Sequence, residues 1–289
     1  MAIETRSRKV FNICNLIILT ILGIGFLLPY VMIVSASLTD EGEFLAHGYS
    51  ILPRDITLSA YIKLFQGDLT VVRAFFNSVF LTVSGVILHV GTTTLAAYPL
   101  SKKKLVGGKV IMKVIIFSML FSGGLIPTYM LIVNMGLKNS YLAILLPAML
   151  APWNCILIKN YFTTVSEALE EACKMDGGNN LTVFLRIYVP TSKSIIASVV
   201  LFTAVAFWNN WSAPILYFDS RHSDMLPLTA VLQQMLQENV NPSGGSVGSG
   251  FAENEKMATV VISTLPIIIA YPFMQKYFIS GIMLGSVKE

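Results

Sequence analysis

The sequence predicts an all-α integral membrane protein with six transmembrane helices. Three observations carry this. Of 289 residues, 54% are apolar and 12% charged, with a mean hydropathy of +0.69; soluble domains carry roughly 25% charged residues. Six apolar runs, 13–38, 74–99, 110–134, 141–162, 195–218 and 258–280, reach the ~20 residues a helix needs to cross a bilayer. Lysine and arginine are shared unevenly between the loops that these runs imply.

The first run, Ile13–Leu38, is too long for the apolar core of a signal peptide and lacks a small-residue cleavage site. It reads as a retained anchor helix. The segment 39–73 mixes acids with apolar patches such as Tyr61–Phe65 and suits short helices on the membrane surface. In the second run, His89 is the one ionisable group deep in any span and reads as a hydrogen-bonded packing residue. Gly123-Gly124 and Pro127 in the third run, and Pro147 and Pro152 in the fourth, predict kinks that neighbouring helices can satisfy. The segment 219–257 is too long for a turn and carries a Gly/Ser tip at 242–250.

Six spans place both termini and the second and fourth loops on one side. That side holds Arg6, Arg8, Lys9, Lys102–Lys104, Lys109, Lys113, Lys159, Lys174, Arg186, Lys193, Lys276 and Lys288, fourteen of the twenty basic residues. It is therefore cytoplasmic, and the loops 39–73 and 219–257 are outside. Lys102–Lys104 reads as a topology signal that meets anionic headgroups. The whole chain, 1–289, is expected to form a single transmembrane domain.

The chain has no GxxxxGK[ST] phosphate loop, no HExxH and no GxSxG, so it offers no ATP site or catalytic constellation of its own. Cys14, Cys155 and Cys173 are scattered and form neither a disulfide framework nor a metal set. No Asp or Glu lies inside the six spans, whereas ion-coupled carriers place carboxylates at membrane depth. An ion-coupled secondary carrier of a small polar solute is therefore the alternative, and a translocation channel without an engine the main reading.

The loop 166–193 is where an engine can attach. Thr164-Val-Ser-Glu167 fits a capping box. Glu167, Glu171 and Lys174 fall on one helical face, and Ala168 and Ala172 keep the neighbouring stripe small. Gly177-Gly178 ends this helix. Asn179 or Asn180 caps a second, Leu181–Tyr188, which Pro190 stops. Such a polar helix–turn–helix knob has a use if a soluble partner docks on it.

Glu171-Ala172-Cys173-x-x-Asp176-Gly177-Gly178, with Phe184, Ile187 and Pro190 beyond, resembles the EAA loop of ABC importer permeases. Cys173 and Gly178 replace small residues of that pattern, Val189 its leucine and Ser194 its final proline. Phe121–Leu137, Phe207–Phe218 and Tyr271–Glu289 are similar to segments of the MalG-type permeases of carbohydrate importers, in the branch with lipo-oligosaccharide-type permeases. The resemblance implies a type I importer permease fold with cytoplasmic EAA coupling helices, in a bacterial cell membrane. It implies a second homologous permease, two cytoplasmic ATPases that bind the ATP and Mg, and an extracytoplasmic sugar-binding protein as partners. This chain would then carry no cofactor and would not itself be an enzyme. Glu171, Ala172, Asp176, Gly177 and the tail residue Lys288 would couple to the ATPases, and the 219–257 loop would reach toward the binding protein.

Aromatic rings stack on sugar CH faces and amides pair with hydroxyls. Trp208, Asn209, Asn210 and Trp211 concentrate both types in the fifth span, with Tyr129 and Asn154 as weaker candidates. They are the candidate substrate path, against the alternative of amides bonding across a helix bundle.

Overall fold

A computed structural model describes residues 6–66, 69–237 and 251–286. Among them the chain is helical, apart from one isolated bridge between Thr39 and Ile56. The helices are α1 (Arg6–Ser37), α2 (Glu41–His47), α3 (Ser59–Gln66), α4 (Thr70–Leu100), α5 (Gly108–Leu120), α6 (Leu125–Asn134), α7 (Leu142–Leu145), α8 (Pro152–Phe162), α9 (Glu167–Met175), α10 (Asn180–Val183), α11 (Val189–Thr191), α12 (Lys193–Trp208), α13 (Ser212–Tyr217), α14 (Leu228–Gln237) and α15 (Glu253–Ser286). A π-helical segment, Phe184–Tyr188, joins α10 to α11. The chain divides into two compact units, Met1–Val72 with Gln234–Leu265, and Arg73–Gln233 with Pro266–Glu289.

Among the described residues three helices are long and apolar enough to cross a membrane, α1, α4 and the start of α15, or up to five if the bent pairs Gly108–Leu120 with Leu125–Asn134 and Asn180–Thr191 with Lys193–Trp208 each count as one, fewer than the six expected. The other expected runs are interrupted. The third is α5 and α6, bent by 114° across Phe121–Gly124. Gly124 takes φ +89°, open to glycine at no steric cost, and its N–H is taken by the Ser122 hydroxyl. The expected kink is thus a full break. The fourth is the single turn α7 and the eleven-residue α8, separated around Pro147 and starting again at Pro152. The fifth is α12 and α13, broken at Asn209–Trp211.

The first unit gathers short elements around one end of α1. Ala36, Phe44 and Met257 form its buried cluster, with Ile33 against them. Asn254 donates to the Thr39 carbonyl at 3.2 Å, and Ser37 meets the Tyr61 hydroxyl at 2.8 Å. α15 starts earlier than the expected span, at Glu253, and so brings charges into the unit: Glu255 and Lys256 are buried. They are paired, Glu255 with Lys63 at 3.3 Å and Lys256 with Glu253 at 2.9 Å. From Val10 to Leu28 the apolar side chains of α1 are exposed, which suits lipid or another membrane subunit.

In the second unit α4 is the central rod. Its Lys102 end packs into a core of Ala97, Cys155, Ile158, Phe162, Val183, Phe184, Tyr188 and Val199. Midway, His89 Nδ1 meets the Ala148 carbonyl at 2.7 Å and the Thr92 hydroxyl donates to Met149. Those carbonyls belong to the break between α7 and α8, so α4 supplies the bonds that the broken helix lost. Asn154 Nδ2 holds the other His89 nitrogen at 2.8 Å, and the packing role expected for His89 is what the geometry gives. Gly85 faces Phe207: a Cβ there would sit 2.6 Å from the ring, so only glycine lets α12 approach this closely.

The opposite end of α4 gathers the other loops. Asn77 donates to the carbonyls of Asp224 and Leu226 and accepts from Tyr141, and Ser78 accepts from the Leu228 N–H at 2.8 Å. Asn139 and Asp219 exchange two hydrogen bonds of 2.9 and 3.0 Å. Hydrogen bonds from His222 and Asn139 hold the Asp219 carboxyl down to about 2. Within this unit, then, the 166–193 loop and the 135–141 and 219–228 loops lie at opposite ends of α4, as the lysine distribution required. The Gly/Ser tip at 242–250 lies outside the described residues.

Candidate functional site

The 166–193 knob forms, with one departure from expectation at its start. The capping box between Thr164 and Glu167 is absent. The Thr164 hydroxyl donates to the Tyr161 carbonyl at 2.7 Å, closing α8, while Ser166 occupies the cap position of α9 without a side-chain bond. A hydroxyl in the turn that ends one helix is drawn to that helix's orphan carbonyls. Further along α9, Lys174 pairs with Glu170 at 2.8 Å.

The end of α9 is as expected. Gly177 takes φ +83°, its N–H bonds the Lys174 carbonyl at 3.0 Å, and the Gly178 N–H bonds Cys173 at 2.9 Å. This is the paired closure of a Schellman motif. The two glycines act differently. Gly177 supplies the left-handed backbone; Gly178 supplies space, because a Cβ there would lie 2.6 Å from Cys173 Sγ and 2.7 Å from its carbonyl oxygen. Asn179 Oδ1 then accepts from the Thr182 N–H at 2.8 Å and starts α10.

The expected second helix is compound. α10 passes into the π segment, where the Val189 N–H reaches back to the Phe184 carbonyl, and the path runs on through Pro190 to Thr191. Pro190 does not stop it: the change of register puts the proline in the first turn of α11, where no N–H is called for. The stop comes at Ser192, where the segment 180–191 meets α12 at 81°. The knob thus lies across the end of the bundle.

What anchors it is a cluster the sequence did not reveal. Lys102, just beyond α4, donates to Glu170 of α9 and at 2.7 Å to the Tyr188 hydroxyl. Tyr188 donates in turn to Glu170 at 3.1 Å. The Lys102 ammonium lies 4.4 and 4.0 Å from the ring centroids of Tyr98 and Tyr188. The Glu170 and Lys102 side chains are 14% and 25% exposed. Burial pushes the Glu170 carboxyl up, but hydrogen bonds from Lys102, Lys174 and Tyr188 outweigh it and bring it down to about 2. Glu170 therefore stays ionised across the neutral range. The expected headgroup-facing triplet divides: Lys102 turns inward, and Lys103 makes an exposed pair with Glu167 at 3.2 Å.

Glu171, the next residue, lies at the rim of the cavity that Lys102, Glu170 and Tyr188 also line. It is exposed and makes no hydrogen bond or ion pair among the described residues, and Ala172, Asp176 and Gly177 are exposed beside it. Four of the five residues expected to couple are thus displayed on one small element; the fifth, Lys288, lies outside the described residues. Cys173 and Arg186 line an open cavity of about 550 Å³ below them.

The candidate substrate path is less coherent. Trp208 is buried edge-on against Phe75, centroids 5.8 Å apart, and its carbonyl accepts from the Thr229 hydroxyl. Asn210 accepts from the Ala213 N–H at 3.2 Å and so starts α13. Both have structural work at the break. Asn209 and Trp211 are exposed there. Tyr129 is stacked on Tyr217 at 6.0 Å, and Asn154 is engaged with His89.

Residues 92–283 match the family described as binding-protein-dependent transport system inner membrane component. The chain is 38% identical over 289 residues to Protein LplC of Bacillus subtilis (strain 168), covering 99% of this chain and 97% of that protein. It is 36% identical over 266 residues to the polygalacturonan/rhamnogalacturonan transport system permease protein YtcP of the same organism, covering 90% and 92%. Its fold is similar to a chain in the crystal structure of a bacterial ABC transporter involved in the import of the acidic polysaccharide alginate. There the TM-score is 0.85, with 30% identity over 96% of this chain and 100% of that one.

Proposed function

As the chain belongs to the family of binding-protein-dependent transport system inner membrane components, we propose that it is the permease subunit of an ATP-driven importer for a carbohydrate, an oligosaccharide, delivered by an extracytoplasmic binding protein. It is a transport subunit; two cytoplasmic ATPases bind ATP and Mg, and a second homologous permease completes the channel. The chain acts as one domain with six crossings, three of them broken, and both termini in the cytoplasm.

One observation carries this reading: α9 is tied to the bundle by Glu170 while Glu171, Ala172 and Asp176 stay exposed. A short polar helix held rigid with a bare carboxylate forward is a docking element. Glu171 pairs with a basic residue of the ATPase, and Gly177 and Lys288 flank the contact. Carbohydrate as the cargo is supported by the polygalacturonan/rhamnogalacturonan and alginate systems among the relatives. Asn209, Trp211 and Tyr129 are then the residues most open to the sugar, with Trp208 and Asn210 shaping the break beside them.

Competition tests the cargo. In proteoliposomes carrying both permeases, the ATPases and the binding protein, uptake of a labelled oligosaccharide is expected to fall when unlabelled oligosaccharides are added and to ignore amino acids and peptides. Inhibition by an amino acid or peptide, with none by any oligosaccharide, would overturn the carbohydrate assignment.

A further inference from the structure

We infer that Glu170, Lys102 and Tyr188 form the latch that carries movement of the docking helix into α4, so that they set how much transport each ATP yields rather than whether the ATPase binds. This rests on the docking role assigned to Glu171. Glu170 and Glu171 are consecutive, about 100° apart around the helix, and their bonding and exposure differ. Glu171 is bare, whereas Glu170 is sunk beneath α9 and bonded to Lys102, Lys174 and Tyr188.

The latch matters because, apart from Cys173 on the core of its unit, α9 has few other holds. It is nine residues long with no buried side chain, far below the ~12–15 residues at which isolated helices become even marginal in water. Its covalent paths are the short link 163–166 from α8 and a glycine turn into α10. Lys102, by contrast, is rooted two residues beyond α4 and is clamped between the rings of Tyr98 and Tyr188. Tyr188 packs on Phe162 of α8 at 5.4 Å. A push on Glu171 therefore reaches α4 through this charged junction. α4 in turn holds the α7–α8 break through His89 and Thr92, and fits α12 at Gly85. The docking helix is thus joined to a rod that touches the broken segments of its unit. The other charged link to this end of α4, Lys103 with Glu167, is exposed and worth little.

The test uses Glu170→Gln, Lys102→Met, Tyr188→Phe and the exchange of Glu170→Lys with Lys102→Glu, each in the full complex. Sugar moved per ATP hydrolysed is expected to fall about tenfold in the first two, the size of a typical coupling energy between sites. The ATPases should stay bound through purification, Tyr188→Phe should fall between these and wild type, and the exchanged pair should recover most of the ratio. A ratio unchanged in both single variants overturns the latch. So does loss of ATPase binding that the exchange fails to restore, which would make Glu170 part of the docking surface itself. A second readout is independent of cargo. Amide exchange over 167–175 in the full chain in nanodiscs should quicken about tenfold in the single variants and return in the exchanged pair. If wild type shows no ATP-driven uptake, the functional reading fails on its own, while unchanged amide exchange would still overturn the latch.

Discussion

Glu171→Lys is expected to cut transport about thirtyfold or more while the chain still inserts in the membrane. The carboxylate is exposed and makes no ion pair or hydrogen bond among the described residues, so reversing its charge costs the fold little. Against a basic partner it costs much. Losing one buried charged contact at an interface is worth about 2–5 kcal/mol, and each 1.4 kcal/mol is a factor of ten. Reversal adds repulsion to loss. The measurement is uptake together with ATPase co-purification at matched expression. Uptake at the wild-type rate would remove Glu171 from the docking site.

Gly178→Val should be nearly as damaging, by a different route. The added Cβ meets Cys173 Sγ at 2.6 Å and the Cys173 carbonyl oxygen at 2.7 Å. The sulfur can rotate away, but the carbonyl is fixed, because it accepts the Gly178 N–H that closes α9. Opening that turn redirects α9 and with it Glu171. Overpacking of this kind costs typically 1–3 kcal/mol, concentrated here in one short element. ATPase association is expected to fall about tenfold. Adding Cys173→Ala should restore only part of it, since the carbonyl clash remains. Gly177→Ala, which only strains a left-handed residue, should cost about 1–2 kcal/mol. Full association in Gly178→Val would show that the turn does not position the docking helix.

The helix–turn–helix form of 166–193 was legible because its information is local. A glycine needing positive φ, an asparagine cap and a polar run in an apolar chain can all be read within a few residues, and Gly177 and Asn179 do what their types suggest. The helix breaks were half legible. Gly123-Gly124 announced a bend but not one of 114°, because the angle depends on what the freed backbone finds to bond. Asn209-Asn210 was read as a feature within a span, although asparagine in an apolar helix is also a residue able to cap a new one, as Asn210 does.

Glu170 was illegible for a physical reason. Its partner Lys102 lies sixty-eight positions away, and on sequence the neighbouring Glu171 offers the same charge with better motif support. The triple lysine 102–104 had an adequate explanation in topology, which hid the one member that turns inward. A carboxylate adjacent to a docking carboxylate, with a lysine four positions on, could have prompted the question of which faces in. The π segment was likewise out of reach: Phe184 and Tyr188 are buried against α4 and α8, and that packing, rather than propensity, sets the register that admits Pro190.

The central claim is that this chain has no engine of its own and is driven through its docking helix. It is tested most directly by clamping the energy source. Proteoliposomes containing the complete complex and loaded binding protein are supplied with internal ATP and then treated with a proton uncoupler. Acids at membrane depth are what a proton or sodium gradient would act on. The buried acid Glu255, in the first turn of α15, is paired with Lys63. Uptake is expected to follow ATP and to persist unchanged when the gradient is collapsed. Uptake abolished by the uncoupler at constant ATP would contradict the account and return the chain to the ion-coupled carriers.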